Sequence, residues 1–244
     1  MRTIVRIFTL LALLLVSIGS NAQKVYAVCV GVADYPGEIN DLKLPANDAK
    51  TIQWLYHKNR KAESVLITNK DATLANVTKA MNTLFAKAKE KDIIVLFFSG
   101  HGSKGAFRCY DEALNYDVVR QAMAKSKSRH KIVFADACYA GKMRQEGSFS
   151  TFSPDTDYSM VDVMLFLSSR SNETSIESRN MKNGFFTAFL QRGLKGGADA
   201  DRNRTITAKE LFDYVSKGVA KISKNRQHPV MWGHFDKSMP VMVW

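Results

Sequence analysis

Two apolar runs in this chain stop in the same way. Val95-Leu96-Phe97-Phe98-Ser99-Gly100-His101-Gly102 breaks at a histidine between glycines, and Val133-Phe134-Ala135-Asp136-Ala137-Cys138-Tyr139-Ala140-Gly141 breaks at a cysteine followed by small residues. Runs of β-favouring residues that end at glycine and one reactive side chain have the form of buried strands opening into functional loops. A segment of helical length separates the two. Strand, crossover helix and strand then lie parallel in one sheet, and both reactive side chains leave it at the carboxyl edge. An imidazole beside a thiol is a nucleophile and its base. His101 takes the proton of Cys138, and the ion pair holds the sulfur as the thiolate that attacks a carbonyl carbon. Gly102 leaves room for a substrate backbone, and its N–H with that of Cys138 forms a candidate oxyanion hole.

The remainder of the chain frames one domain. Its 244 residues, 45% of them hydrophobic, suffice for a single α/β core. Residues 1–22 stand apart from that core. Arg2 and Arg6 precede the apolar run from Ile7 to Ile18, and Ser20-Asn21-Ala22 supplies small residues before a cut at Gln23. This is the pattern of a signal peptide, with an apolar stretch shorter than the ~20 residues of a membrane span. The expectation is an exported protein, secreted or periplasmic, whose mature domain is 23–244 and inserts in no membrane. Losing Arg2 and Arg6 lowers the net charge from +12 to about +10. The lysines are scattered rather than interleaved with aromatics, which describes a solvated basic surface and not a nucleic-acid site. Three cysteines, Cys29, Cys109 and Cys138, cannot all pair within the chain. Cys29 falls inside an apolar run and reads as a core residue.

Taken in order, Val25 to Gly31 reads as a first buried strand. Ala49, Ile52, Leu55 and Tyr56 recur at helical spacing, with Asn47 or Asp48 as the expected cap. Val65 to Thr68 predicts a second strand. Leu74, Val77, Met81, Leu84 and Phe85 form a helical stripe behind Thr73 as N-cap. Leu114 to Ala124 is the expected crossover helix. Residues 142–160 read as a polar loop, Val163 to Leu167 as a strand, 185–194 and 207–222 as helices, and Pro229 to Trp232 as a short last strand. Strands alternating with helices predict a doubly wound α/β sandwich.

The motifs Ser99-Gly100-His101-Gly102 and Asp136-Ala137-Cys138-Tyr139-Ala140-Gly141 resemble those of the caspase-like cysteine peptidases, most closely the bacterial metacaspase-like branch. Val25-Tyr26-Ala27-Val28-Cys29-Val30-Gly31-Val32, Pro45-Ala46-Asn47-Asp48-Ala49 and Asn183-Gly184-Phe185-Phe186-Thr187 extend the resemblance over nearly all of the mature chain. It implies a caspase-like three-layer sandwich with a mostly parallel central sheet. It also implies cleavage of peptide bonds by Cys138 with His101, with no cofactor required. The implied substrate is a peptide or protein with Arg or Lys at P1, held in an S1 pocket by Asp48, Ser99 and Asp136. Two carboxylates at the floor of a small pocket favour a cation and repel an aspartate. The chain departs from the metacaspase pattern at Pro45, where many members have Cys, and in 168–177, where Ser168, Ser169 and Glu173 stand at the pocket rim.

One further pattern concerns calcium. In residues 199–210, Asp199, Asp201, Asn203 and Thr207 occupy loop positions one, three, five and nine. Thr205 offers its carbonyl at seven, and Glu210 stands at twelve, where a bidentate carboxylate is expected. Arg204 occupies position six, where the turn favours Gly. Two other functions use the same sequence: a catalytically silent binding module on this fold, and a cysteine hydrolase of non-peptide amides or esters. Retention of both His101 and Cys138 argues against the first; the second differs from a peptidase only in its substrate.

Overall fold

The computed structural model describes residues 23–60, 62–103, 105–137, 163–169, 182–233 and 235–243. The signal peptide expected in 1–22, Cys138, the polar loop 142–160 and Glu173 lie outside them.

Among the described residues six strands form the central sheet. In chain order these are β1 (Val25–Gly31), β2 (Glu63–Thr68), β3 (Ile93–Gly100), β7 (His130–Ala137), β8 (Val163–Leu167) and β10 (Val230–Trp232). Their spatial order is β10-β8-β7-β3-β1-β2, and every pairing is parallel except that of β10 with β8. The inner strands are buried on both faces, which explains why they read as unbroken apolar runs and not as alternations. Along β3 the side chains still divide by parity. Ile94, Leu96 and Phe98 join the core under α2 (Leu74–Phe85) and α3 (Tyr116–Ala124). Ile93, Val95 and Phe97 join the core under α1 (Pro45–Arg60), α4 (Phe185–Arg192) and α5 (Ala208–Ile222). Helices therefore cover both faces, as strand-helix alternation predicts. Among the described residues no helix is long and apolar enough to cross a membrane.

Two local expectations need correction. The first helix begins at Pro45, two residues before the expected cap. Its ring presets φ for a first turn and needs no N–H partner there. Asp48 thus lies inside the first turn, its N–H bonded to Leu44 O at 2.9 Å, and its carboxylate is free to turn inward. Neither Asn47 nor Asp48 is the cap. The crossover helix begins at Tyr116, because Leu114 belongs to an antiparallel meander of β4 (Gly102–Ser103), β5 (Ala106–Arg108) and β6 (Ala113–Asn115). These strands are two or three residues long, too short to show a period in the sequence. Two more short strands were not legible: β9 (Thr205–Thr207) pairs antiparallel with β11 (Pro240–Val243). Thr73 does cap α2, accepting from Asn76 N–H at 3.2 Å.

Candidate active site

β3 and β7 are neighbours in parallel register, with Ser99 opposite Asp136 and Gly100 opposite Ala137. His101 follows directly, at the carboxyl edge of the sheet. Its ring is held on two sides. Nε2 lies 2.7 Å from the carbonyl oxygen of Asn40, and since a carbonyl only accepts, Nε2 carries the proton and Nδ1 is the basic nitrogen of the neutral ring. The aromatic ring of Tyr35 packs against it with centroids 4.9 Å apart. The backbone is fixed as well: His101 N–H donates to Tyr35 Oη at 2.8 Å, and His101 O accepts from Arg108 N–H at 2.9 Å. Asn40 and Tyr35 both come from the loop after β1.

Cys138 follows Ala137, the last residue of β7, in the sequence and lies outside the described residues. The other two cysteines have no route to a nucleophilic role. Cys29 and Cys109 are fully buried, and burial raises both thiols, Cys109 to about 12. Gly102, the expected oxyanion donor, is partly exposed in β4, where it pairs with Phe107.

The expected pocket acids are both buried, Asp48 at 2% and Asp136 at 6% exposure. Ser99 Oγ donates to Asp48 Oδ2 at 2.9 Å, so β3 and α1 meet at this point. Further partners among the described residues come from the start of α4. Asn183 Nδ2 and Gly184 N–H donate to Asp48 Oδ1 at 2.7 and 3.2 Å. Thr187 N–H and Oγ1 donate to Asp136 Oδ2 at 3.2 and 2.8 Å. A helix N-terminus turned on carboxylates lowers the cost of burying them. For Asp48 the cost still wins: burial first, then the neighbouring Asp136, push its carboxyl up to about 8 despite these hydrogen bonds. Gly184 leaves room for the Asp136 carboxylate, because a Cβ there would lie 2.7 Å from Asp136 Oδ2. In the sequence Asn183-Gly184-Phe185-Phe186-Thr187 is legible only as a motif, with nothing to link Asn183, Gly184 or Thr187 to the two carboxylates.

The calcium candidates lie elsewhere, between α4 and α5. The carboxylates of Asp199, Asp201 and Glu210 come within 4.8 Å of one another. Asn203 belongs to the same turn, its N–H donating to Asp199 Oδ1 and Asp201 Oδ1, and Thr205 N–H donates to Asn203 Oδ1. Arg204 takes φ of 66°, the left-handed conformation that the sixth loop position calls for and that favours Gly. Glu210 has a structural task of its own, closing a capping box with Thr207 at the start of α5. Its other oxygen accepts from Ala200 N–H.

A family model described as the caspase domain matches residues 24–239. No curated protein matches the chain by sequence. Among solved structures, a protein from Geobacter sulfurreducens superposes with a TM-score of 0.66 at 17% identity, covering 90% of this chain and 99% of its own. Caspase-1 from Spodoptera frugiperda superposes with a TM-score of 0.66 at 13% identity, covering 89% of each chain. At such identities the likeness is one of fold.

Proposed function

The chain belongs to the caspase-domain family of cysteine peptidases, and from that premise we propose that it is an exported endopeptidase that cuts after Arg or Lys by a Cys138–His101 dyad. One observation carries the reading: the carboxyl edge that presents His101 also buries Asp48 and Asp136, joined by Ser99 and the first turn of α4. A pair of buried carboxylates is costly unless a cation or a proton offsets it. A guanidinium or ammonium at P1 supplies the cation, and P1 aspartate adds further negative charge.

In the proposed reaction His101 Nδ1 accepts the Cys138 thiol proton, and Sγ adds to the carbonyl carbon of the P1 residue. The tetrahedral oxyanion is met by the N–H groups of Gly102 and Cys138. The C–N bond breaks, the amine leaves with the proton from His101, and a thioester remains on Cys138. Water, deprotonated by His101, adds to the thioester and releases the acid and the thiol. No cofactor takes part. The substrate is a peptide or protein chain, and the signal read in 1–22 directs this work to the periplasm or the exterior.

The test is a set of fluorogenic peptides that differ only at P1, incubated with the mature protein. Cleavage after Arg and Lys and not after Asp is expected. Equal rates at P1 Arg and P1 Asp would overturn the pocket assignment. Turnover of a non-peptide amide with every peptide intact would move the protein to the hydrolase reading, and no turnover of any amide or ester to the binding-module reading.

A further inference from the structure

We propose that Tyr35 is a positioning residue for His101, fixing the imidazole through its hydroxyl, its ring and its own backbone; this rests on the assignment of His101 as the base.

The hydroxyl closes a small circuit. His101 N–H donates to Tyr35 Oη at 2.8 Å, Tyr35 Oη–H donates to Arg108 O at 3.2 Å, and Arg108 N–H donates to His101 O at 2.9 Å. Each polar group of the histidine backbone is thereby committed, at the point where β3 ends and the chain would otherwise be free to swing. The phenol is 4% exposed, so water does not compete for these bonds. The ring then lies against the imidazole with centroids 4.9 Å apart, limiting its rotation.

The backbone of Tyr35 acts at the far side of the same imidazole. Tyr35 N–H donates to Asp41 Oδ1 at 2.9 Å, and Leu42 N–H to Ala33 O at 2.8 Å, which fold residues 33–42 into a closed loop. Asn69 Oδ1 ties the start of that loop down through the N–H groups of Ala33 and Asp34. Asn40, whose carbonyl accepts the hydrogen bond from Nε2–H, sits in this loop one residue before Asp41. One residue therefore holds both the peptide from which the imidazole hangs and the loop that selects its tautomer. Gly100 makes the approach possible. Its φ is +154°, and a Cβ there would lie 2.7 Å from Tyr35 Oη. Glycine before the histidine is thus explained by a hydroxyl and not only by a turn.

The test compares the full chain with Tyr35→Phe and Tyr35→Leu variants in two assays. The first is steady-state cleavage of a P1 Arg peptide. The second is the rate at which iodoacetamide alkylates Cys138, read by peptide mapping and independent of any substrate. Tyr35→Phe keeps the ring and loses the circuit. It should lower kcat by ~10- to 100-fold, as a small misplacement of a base does, with KM within about twofold of wild type, and should slow Cys138 alkylation in parallel. Tyr35→Leu should lose more, and Phe should recover part of that loss. A purely structural role would lower the folded fraction and leave kcat per folded molecule and the alkylation rate unchanged, and that result overturns the proposal. If Tyr35→Phe does not fold, Gly100→Ala presses on the hydroxyl, and on the backbone and Phe98 ring beside it, while keeping the Tyr35 side chain; wild-type kcat there overturns it as well. Should the wild-type chain cleave no peptide, the peptidase reading falls alone, and the alkylation rates still decide the position of Tyr35.

Discussion

Asp48 and Asp136 converge on one point from different layers of the fold: a methyl group at position 184 would lie 3.6 Å from Asp48 Oδ2 and 2.7 Å from Asp136 Oδ2. α1 brings the first and β7 the second, and the N-terminus of α4 holds both. Their proximity sets a pH dependence that can be measured without any substrate.

In the unfolded chain Asp48 loses its proton near pH 4, whereas burial and Asp136 hold it in the folded chain up to about pH 8. Between these values the folded state binds more protons, so stability falls as pH rises. The contribution is complete below about pH 4 and lost by about pH 8. Asp48→Asn cannot ionise and should flatten this slope, since an amide can serve the same Ser99, Asn183 and Gly184 contacts. Melting temperatures at pH 5, 6.5 and 8 check it. Parallel curves for the two proteins would refute the shift.

Gly184→Ala should strike the proposed P1 pocket specifically. Its φ of −55° suits alanine, so the cost is the contact with Asp136 Oδ2 and not the backbone. Cleavage after Arg should lose roughly 1–3 kcal/mol in kcat/KM, chiefly through KM. Cys138 alkylation should be unchanged.

His101→Ala and Cys138→Ala should each abolish turnover, with a fall in kcat of at least ~10² for the base. Both variants should retain the melting temperature of the parent within a few degrees, because His101 is partly exposed at a sheet edge. Wild-type activity in Cys138→Ala would remove the assignment.

Thr207→Ala breaks the capping box of α5, in which Thr207 Oγ1 accepts from Glu210 N–H and Glu210 Oε2 accepts from Thr207 N–H. It should cost about 1 kcal/mol, or roughly 2–4 °C in melting temperature. Thr207→Ser should restore most of it.

Calcium tests the 199–210 loop separately. An extracellular-type site saturates at ~10⁻⁴–10⁻³ M and raises the melting temperature, an effect that an Asp199→Ala, Asp201→Ala double variant should abolish. No shift up to about 10 mM would leave the turn closed by its own hydrogen bonds, with Glu210 serving the helix alone.

By itself the sequence determined the sheet and what stands at its edge. The run through Ser99-Gly100-His101 and the run through Asp136-Ala137-Cys138 are too apolar to be anything but inner strands, and the glycines mark where each one stops. Hydrophobic burial acts on each run locally, so β1, β3, β7 and β8 were legible, and the family with them. What only the tertiary structure decided is how side chains from distant elements meet at that edge. Asn183 reaches Asp48 across 135 residues, Thr187 reaches Asp136 across 51, and His101 takes its N–H partner from Tyr35, 66 residues earlier. Such contacts follow from the docking of α4 and of the loop after β1 onto the sheet. No periodicity records them, because each is a single hydrogen bond between residues whose own neighbourhoods are indifferent to it. The short β4–β6 and β9–β11 pairings were hidden for the same reason: strands this short are held by their partners, and the partner is known only once the chain has folded.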